Sequence, residues 1–310
     1  MPERAPPSIA VREPQPMSAH EPQHYHVETR LGRVRYVVAE SAGDDPVLLL
    51  LPQAGRSWRM YCELIPLLSA RFRVVSLDYP GCGESAPLPE GVSVGDLADA
   101  AVEVLDALGV GRAHLYGIHF GNKVGAALAA RWPARIGHVV LAGQSHSILP
   151  NSQKRLGTVG KTRRKLLAAG AAGEEELVQW SDSFTRLATI WWSDGVVRNI
   201  GSSPARLLAA RRAVDEIQSL QGVPGYYRAN FRFDLEAAAA QIASPALVLE
   251  IATPVEDATI GRQGEALAAV IPGGRCRVIE LPDGHGISLE DHAEEVAAIL
   301  LEWLPARSLA

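Results

Sequence analysis

Apolar residues along this chain fall into two kinds of run. Residues 47–51 (Val-Leu-Leu-Leu-Leu) and 74–77 are short and continuously apolar, the pattern of strands buried on both faces. Residues 24–29 and 34–38 alternate instead, around a Leu31-Gly32 turn, as an antiparallel pair does. Residues 58–69 and 94–108 repeat apolar positions at helical spacing. A strand over 113–116 then leads into a helix over 122–131, and a further strand is expected over 139–141. Strand and helix alternating in this way predict an α/β fold: a mostly parallel central sheet with helices on both faces.

Past residue 145 the pattern becomes helical with irregular joints. The expected segments are 161–169, 174–187, 204–220 and 235–242. Strand patterns return at 246–251 and 276–280, and an amphipathic helix over 291–304 closes the chain. The organisation expected is a Pro-rich tail over 1–23, core over 24–144, a helical cap over 145–242 and core again over 243–310. The tail carries six prolines and few large apolar residues, so it has no core of its own.

Composition narrows the functional classes. The chain has 310 residues, of which 30 are basic and 35 acidic, for a net charge of −5. That balance gives no footprint for nucleic acid or anionic lipid. The first twenty residues lack the apolar core of a secretory signal, and no apolar run reaches the length of a membrane span. Three widely spaced cysteines (Cys62, Cys82, Cys276) form neither a disulfide framework nor a zinc motif, which fits a reducing cytoplasm. The expected partner is a small-molecule substrate, with no nucleic acid and no membrane; a homodimer stays open. No cofactor or metal is expected. A His119/His285/Glu256 ligand set lacks any supporting spacing such as H-E-x-x-H.

The chemistry concentrates at residues 115–121, Leu-Tyr-Gly-Ile-His-Phe-Gly. A strand runs into Gly117-x-His119-x-Gly121 and a helix follows, the layout of a G-x-S-x-G nucleophile elbow with histidine in the serine position. Residues 78–85 read Asp-Tyr-Pro-Gly-Cys-Gly-Glu-Ser, a D-x-x-G-x-G-x-S pattern after a strand. Residues 281–291 contain Gly284-His285 with Glu290 five positions on. Residues 49–55 (Leu-Leu-Leu-Pro-Gln-Ala-Gly) follow another strand. These four motifs, in their order along the chain (49–55, 78–85, 115–121, 281–291), resemble the α/β-hydrolase superfamily over about residues 25–305 apart from the cap.

The resemblance implies roles. His285 matches the family's terminal histidine. Its orienting acid, expected after strand 246–251, falls on Glu256 by counting back from residues 266–272, and next on Asp257; counting forward gives Pro254. After strand 139–141 the residues are Gly143-Gln144, with no carboxylate. The amides of Ala54 and Phe120 match the two donors of an oxyanion hole. Pro52-Gln53 stands where the family has His-Gly, and Gln53 faces the substrate in this reading. Trp58, Trp180, Trp191, Trp192 and Tyr226 are expected to line an apolar pocket, with Tyr227 and Phe231 nearby.

An imidazole at position 119 excludes a Ser-type acyl-enzyme there. Near neutrality it serves as base, acid or donor, or attacks as a nucleophile to give an acyl-imidazole. Three functions follow. The first is acid–base chemistry by His119 and His285 on a small carbonyl compound: elimination, cyclisation, decarboxylation, C–C cleavage or cofactor-free oxygenation. The second is hydrolysis of an ester, thioester or amide without serine. The third is ligand binding without turnover. Lys123, one turn beyond His119, reads as a buried-stem or capping lysine.

Overall fold

The computed structural model describes residues 22–143, 214–216, 218–219, 222–252, 254, 257, 261–281 and 292–306. The tail through residue 21, the helices expected at 161–169 and 174–187, and most of 204–220 lie outside these residues.

Eight strands form one sheet: β1 (Gln23–Thr29), β2 (Gly32–Ala39), β3 (Val47–Leu51), β4 (Arg73–Leu77), β5 (Ala113–Ile118), β6 (Ile136–Ala142), β7 (Ala246–Ala252) and β8 (Arg275–Glu280). Their order is β1-β2-β4-β3-β5-β6-β7-β8. β1 pairs antiparallel with β2, and β2 with β4; from β4 to β8 every neighbouring pair is parallel. The continuous apolar runs are explained by what covers each face. Leu49 and Leu51 of β3 enter one core with Leu115, Val139 and Leu141, while Leu48 and Leu50 enter the other with Tyr116, Ile118 and Val140. Side chains alternate with period two, so a strand covered on both sides must be apolar at every position.

The described helices are α1 (Leu64–Leu68), α2 (Val94–Ala107), α3 (Phe120–Arg131), α4 (Val223–Arg232), α5 (Leu235–Ala239), α6 (Gly264–Val270) and α7 (Ala293–Trp303). One face of the sheet carries the contiguous set α2, α3, α5 and α6; α1 packs on α7 across the other. α2 starts at a capping box: Asp96 N–H donates to Ser93 Oγ at 3.1 Å, and Ser93 N–H donates to Asp96 Oδ2 at 2.8 Å. The single helix expected over 58–69 is instead a 3₁₀ turn, Trp58–Tyr61, followed by α1. Pro66 is the reason. It lacks an N–H, so it is tolerated in the first turn of a helix that starts at Leu64 but would break one running through from Trp58. α5 packs on α3, so residues 235–239 sit against the core face of the sheet.

At the N-terminal edge of the sheet, His114 of β5 is fully buried. Its Nδ1 accepts the amide of His138 at 3.0 Å, and its ring meets those of Phe72 and His138. Burial, with His138 and Arg112 close by, pushes the imidazole down to about 4. The unfolded chain takes up this proton near pH 6.5 and the folded chain near pH 4. Stability therefore rises with pH across that window and is lost on acidification. Unfolding in urea at pH 7 and pH 4.5 is expected to differ by about 2 kcal/mol less in His114→Gln than in wild type. Equal differences in the two proteins would remove His114 as the source.

Candidate active site

β3 is hydrogen-bonded to β4 on one side and β5 on the other. The chain leaves β3 toward β4, then crosses to β5, which puts the sheet's topological switch point at the C-terminal ends of β3 and β5. Ligands of open α/β sheets bind at such switch points. Two segments stand there: the loop after β3, which carries Gln53 and Ala54, and the turn between β5 and α3, which carries His119.

That turn is tight. His119 has φ 50° and ψ −108°, and among the described residues it is the one non-glycine with positive φ. Its amide donates to Ala142 O at 2.9 Å, and its carbonyl accepts the amide of Asn122 at 3.2 Å. Asn122 Nδ2 reaches the same Ala142 carbonyl at 3.0 Å, which ties the first turn of α3 to the end of β6. The two elbow glycines are demanded by close approach. A Cβ on Gly117 would stand 2.2 Å from Gly121 O; one on Gly121 would stand 2.1 Å from Leu51 O and 2.7 Å from Pro52 O. The backbone leaving β3 thus presses directly on the start of α3, which brings the Gln53–Ala54 loop beside the elbow. Phe120 is the first residue of α3, where helix amides lack intrahelical acceptors.

Two buried carboxylates hold the loop after β3. Asp78, in the D-x-x-G-x-G-x-S segment, accepts the Trp58 amide at 2.8 Å and the Glu84 amide at 3.4 Å, with Arg35 Nη1 at 3.8 Å. Burial pushes its carboxyl up to about 7, although both amides and Arg35 pull it down. Asp215 is fully buried and accepts Arg56 Nε at 2.9 Å, the Ser57 amide at 2.9 Å and the Ser57 hydroxyl. Sequence reasoning missed Asp215, because no local pattern joins it to Arg56 across 159 positions. Gln53 is half-buried; its amide faces Met60 Sδ at 3.4 Å and its carbonyl accepts the Arg56 amide at 3.3 Å.

Tyr226 is fully buried behind Phe120, with ring centroids 5.4 Å apart, and its hydroxyl donates to Pro80 O. Tyr79 completes the aromatic group at 6.0 Å from Phe120 and 6.3 Å from Tyr226. Tyr226 therefore braces Phe120 rather than exposing a pocket surface. Trp58 lies in the core on the α1/α7 side, edge-on to His24 and flanked by the guanidinium groups of Arg35 and Arg59, each 5.8 Å from its ring. Lys123 is buried, with Nζ 3.5 Å from Asn122 Oδ1, and burial pushes its ammonium down to about 8.

His285, Glu256, Trp180, Trp191 and Trp192 lie outside the described residues. Asp257 is exposed and pairs with Arg262 at 3.0 Å, and Arg262 also reaches Glu280 at 3.2 Å. β7 and β8 end side by side: Ala252 pairs with Glu280, and the Leu281 amide donates to Ala252 O at 2.8 Å. The segments that carry Asp257 and, past Leu281, His285 therefore leave the sheet from adjacent points. Among the described residues no group of three or more His, Cys, Asp or Glu is placed to hold a metal ion. A cavity of about 430 Å³ lies between Ser93, Arg131, Phe233, Asp234 and Gln241, and His119 is not part of its lining. Among the same residues no helix is long and apolar enough to cross a membrane.

A family profile described as alpha/beta hydrolase fold matches residues 46–187. A putative carbamate hydrolase, RutD, of Pseudomonas savastanoi pv. phaseolicola is 29% identical over 80% of this chain and 90% of its own length. A 2-hydroxy-6-oxononadienedioate/2-hydroxy-6-oxononatrienedioate hydrolase of Escherichia coli K12 is 31% identical over 38% of this chain and 47% of its own. The match spans less than half the length of that relative, and 36% of another RutD, from Caulobacter segnis. Among solved structures, a hydrolase from Pseudomonas aeruginosa PA01 superposes with a TM-score of 0.72 at 26% identity, covering 90% of this chain and 97% of that one. The enol-lactonase of Burkholderia xenovorans LB400 gives 0.70 at 25% identity, covering 90% and 99%. Sheet order, elbow geometry, family profile and solved neighbours agree that this chain has the α/β-hydrolase fold.

Proposed function

We propose that this chain is an enzyme that acts on a small carbonyl compound through acid–base chemistry by His119 and His285. The observation that carries this reading is the strained backbone of His119, with φ 50°, at the mouth of the sheet's switch point. A strained non-glycine residue at such a place points to a working side chain. Imidazole accepts and donates protons near neutrality, and position 119 offers no hydroxyl to form an ester. The Phe120 amide, with that of Ala54, supplies donors for an enolate or oxyanion that develops as the proton moves. Glu256 or Asp257 orients His285. Gln53 and the cap tryptophans Trp180, Trp191 and Trp192 set the substrate's shape in an apolar or aromatic pocket. The tail, core and cap divide as 1–23, 24–144 with 243–310, and 145–242, with the cap's last helix, residues 235–239, joined to the core through α3. The reaction is of the elimination, cyclisation, decarboxylation, C–C cleavage or cofactor-free oxygenation kind.

Hydrolysis is the second reading, favoured by the names of the similar proteins: a carbamate hydrolase, an enol-lactonase and other hydrolases. Here His119 activates water or is itself acylated.

A panel of carbamates, esters, enol lactones and diketones tests both. For any compound turned over, His119→Ala and His285→Ala are each expected to lower kcat/KM by about 10²–10⁴-fold. Unchanged turnover in His119→Ala overturns a direct role for that residue. An acyl adduct on His119, trapped at low pH and seen by mass spectrometry, selects the hydrolytic reading. Tight binding without turnover across the panel would make the chain a ligand carrier.

A further inference from the structure

The imidazole of His119 is far larger than the hydroxymethyl group an elbow usually holds, and its ring needs a seat. β6 ends at Ala142, and the next residue, Gly143, has φ 77°. Its amide donates to Leu249 O at 2.9 Å, which fixes the backbone there to β7. A Cβ built on Gly143 would stand 2.6 Å from His119 Nδ1, 2.8 Å from Cε1 and 3.1 Å from Cγ. The ring thus fills the volume in which any other residue's side chain would begin. β6 lies on the opposite side of β5 from β3, so the ring leans away from the Gln53–Ala54 loop.

We propose that Gly143 is the positioning residue for the His119 imidazole. It seats the ring at the end of β6 and so leaves the space between the elbow and the loop after β3 for the substrate's carbonyl. This inference rests on the acid–base reading for its purpose. The seat itself is testable without turnover, so the two can fail separately. The position favours a substrate whose carbonyl oxygen lies toward Ala54 and Phe120 while the atom gaining or losing a proton lies toward β6.

The test is a cycle of Gly143→Ala made in wild type and in His119→Ala. Strain from a side chain at φ 77° is common to both backgrounds and cancels. Contact with the ring exists only in wild type. Gly143→Ala is expected to lower Tm by about 4 °C more in wild type than in His119→Ala. In ¹³C-histidine-labelled protein, the His119 ring is expected to titrate at a shifted pH in Gly143→Ala. Equal Tm losses with an unmoved titration would overturn the proposal. If Gly143→Ala folds in neither background, wild type decides: a nuclear Overhauser contact between the His119 ring and the Gly143 α-protons supports the seat, and its absence overturns it.

Discussion

Replacing Asp215 by alanine is expected to cost about 3–5 kcal/mol of stability, the range seen when one partner of a buried ion pair is removed. Asp215 and Arg56 are both almost inaccessible to water. The carboxylate takes three contacts from two consecutive residues: Arg56 Nε, the Ser57 amide and the Ser57 hydroxyl. Without it the guanidinium loses its 2.9 Å partner and the Ser57 amide loses its acceptor, and water cannot replace either cheaply. Asp215→Asn keeps the shape and one acceptor, so its loss should be smaller. Replacing both partners by apolar residues (Arg56→Met with Asp215→Leu) should recover much of the deficit, because no unpaired charge stays buried. Urea denaturation with an unchanged m-value measures all four proteins. A loss under about 1 kcal/mol in Asp215→Ala would show that the pair does not hold the loop.

The same pair shows why part of the candidate site could not be read from sequence. β3 and β4 were legible because both faces are covered, which forces a continuous apolar run. The elbow was legible because Gly117, His119 and Gly121 are local and their spacing is set by one turn of backbone. Asp215 and Arg56 meet only after the sheet, the turn and the 214–219 segment are assembled, and neither sits in a pattern that demands the other. Gly143 is similar. In sequence it reads as the lack of a carboxylate after β6. Its contact with His119 depends on the register of β5 against β6 and on the direction of one imidazole. Tyr226 illustrates the converse. Its aromatic character suggested a pocket wall, yet its fully buried ring and committed hydroxyl make it a brace for Phe120.

The elbow itself gives the sharpest contrast between two alanine substitutions in one helix. Gly121→Ala and Gly125→Ala each remove a glycine from α3, which alone favours the helix by up to about 1 kcal/mol. Their surroundings differ. A Cβ at 121 meets backbone, with Leu51 O at 2.1 Å, Pro52 O at 2.7 Å and Leu51 C at 2.8 Å. A Cβ at 125 meets the ends of side chains, with Leu115 Cδ2 at 2.7 Å and Leu141 Cδ2 at 3.4 Å. Leucine methyls move by changes of rotamer, whereas the carbonyls that end β3 are fixed by the sheet. Gly125→Ala is therefore expected to change stability by about 1 kcal/mol or less, and Gly121→Ala to cost about 3 kcal/mol or more. The second substitution should also reach the chemistry. α3 can accommodate the methyl group only by retreating from the β3 loop, and that separates the Phe120 amide from the Ala54 amide. A folded Gly121→Ala protein should then lose kcat by about tenfold or more, with KM little changed, as expected when stabilisation of the transition state is removed. Gly125→Ala should leave both constants near wild type. Equal behaviour of the two variants would mean that close approach of β3 is not what the glycine at 121 serves.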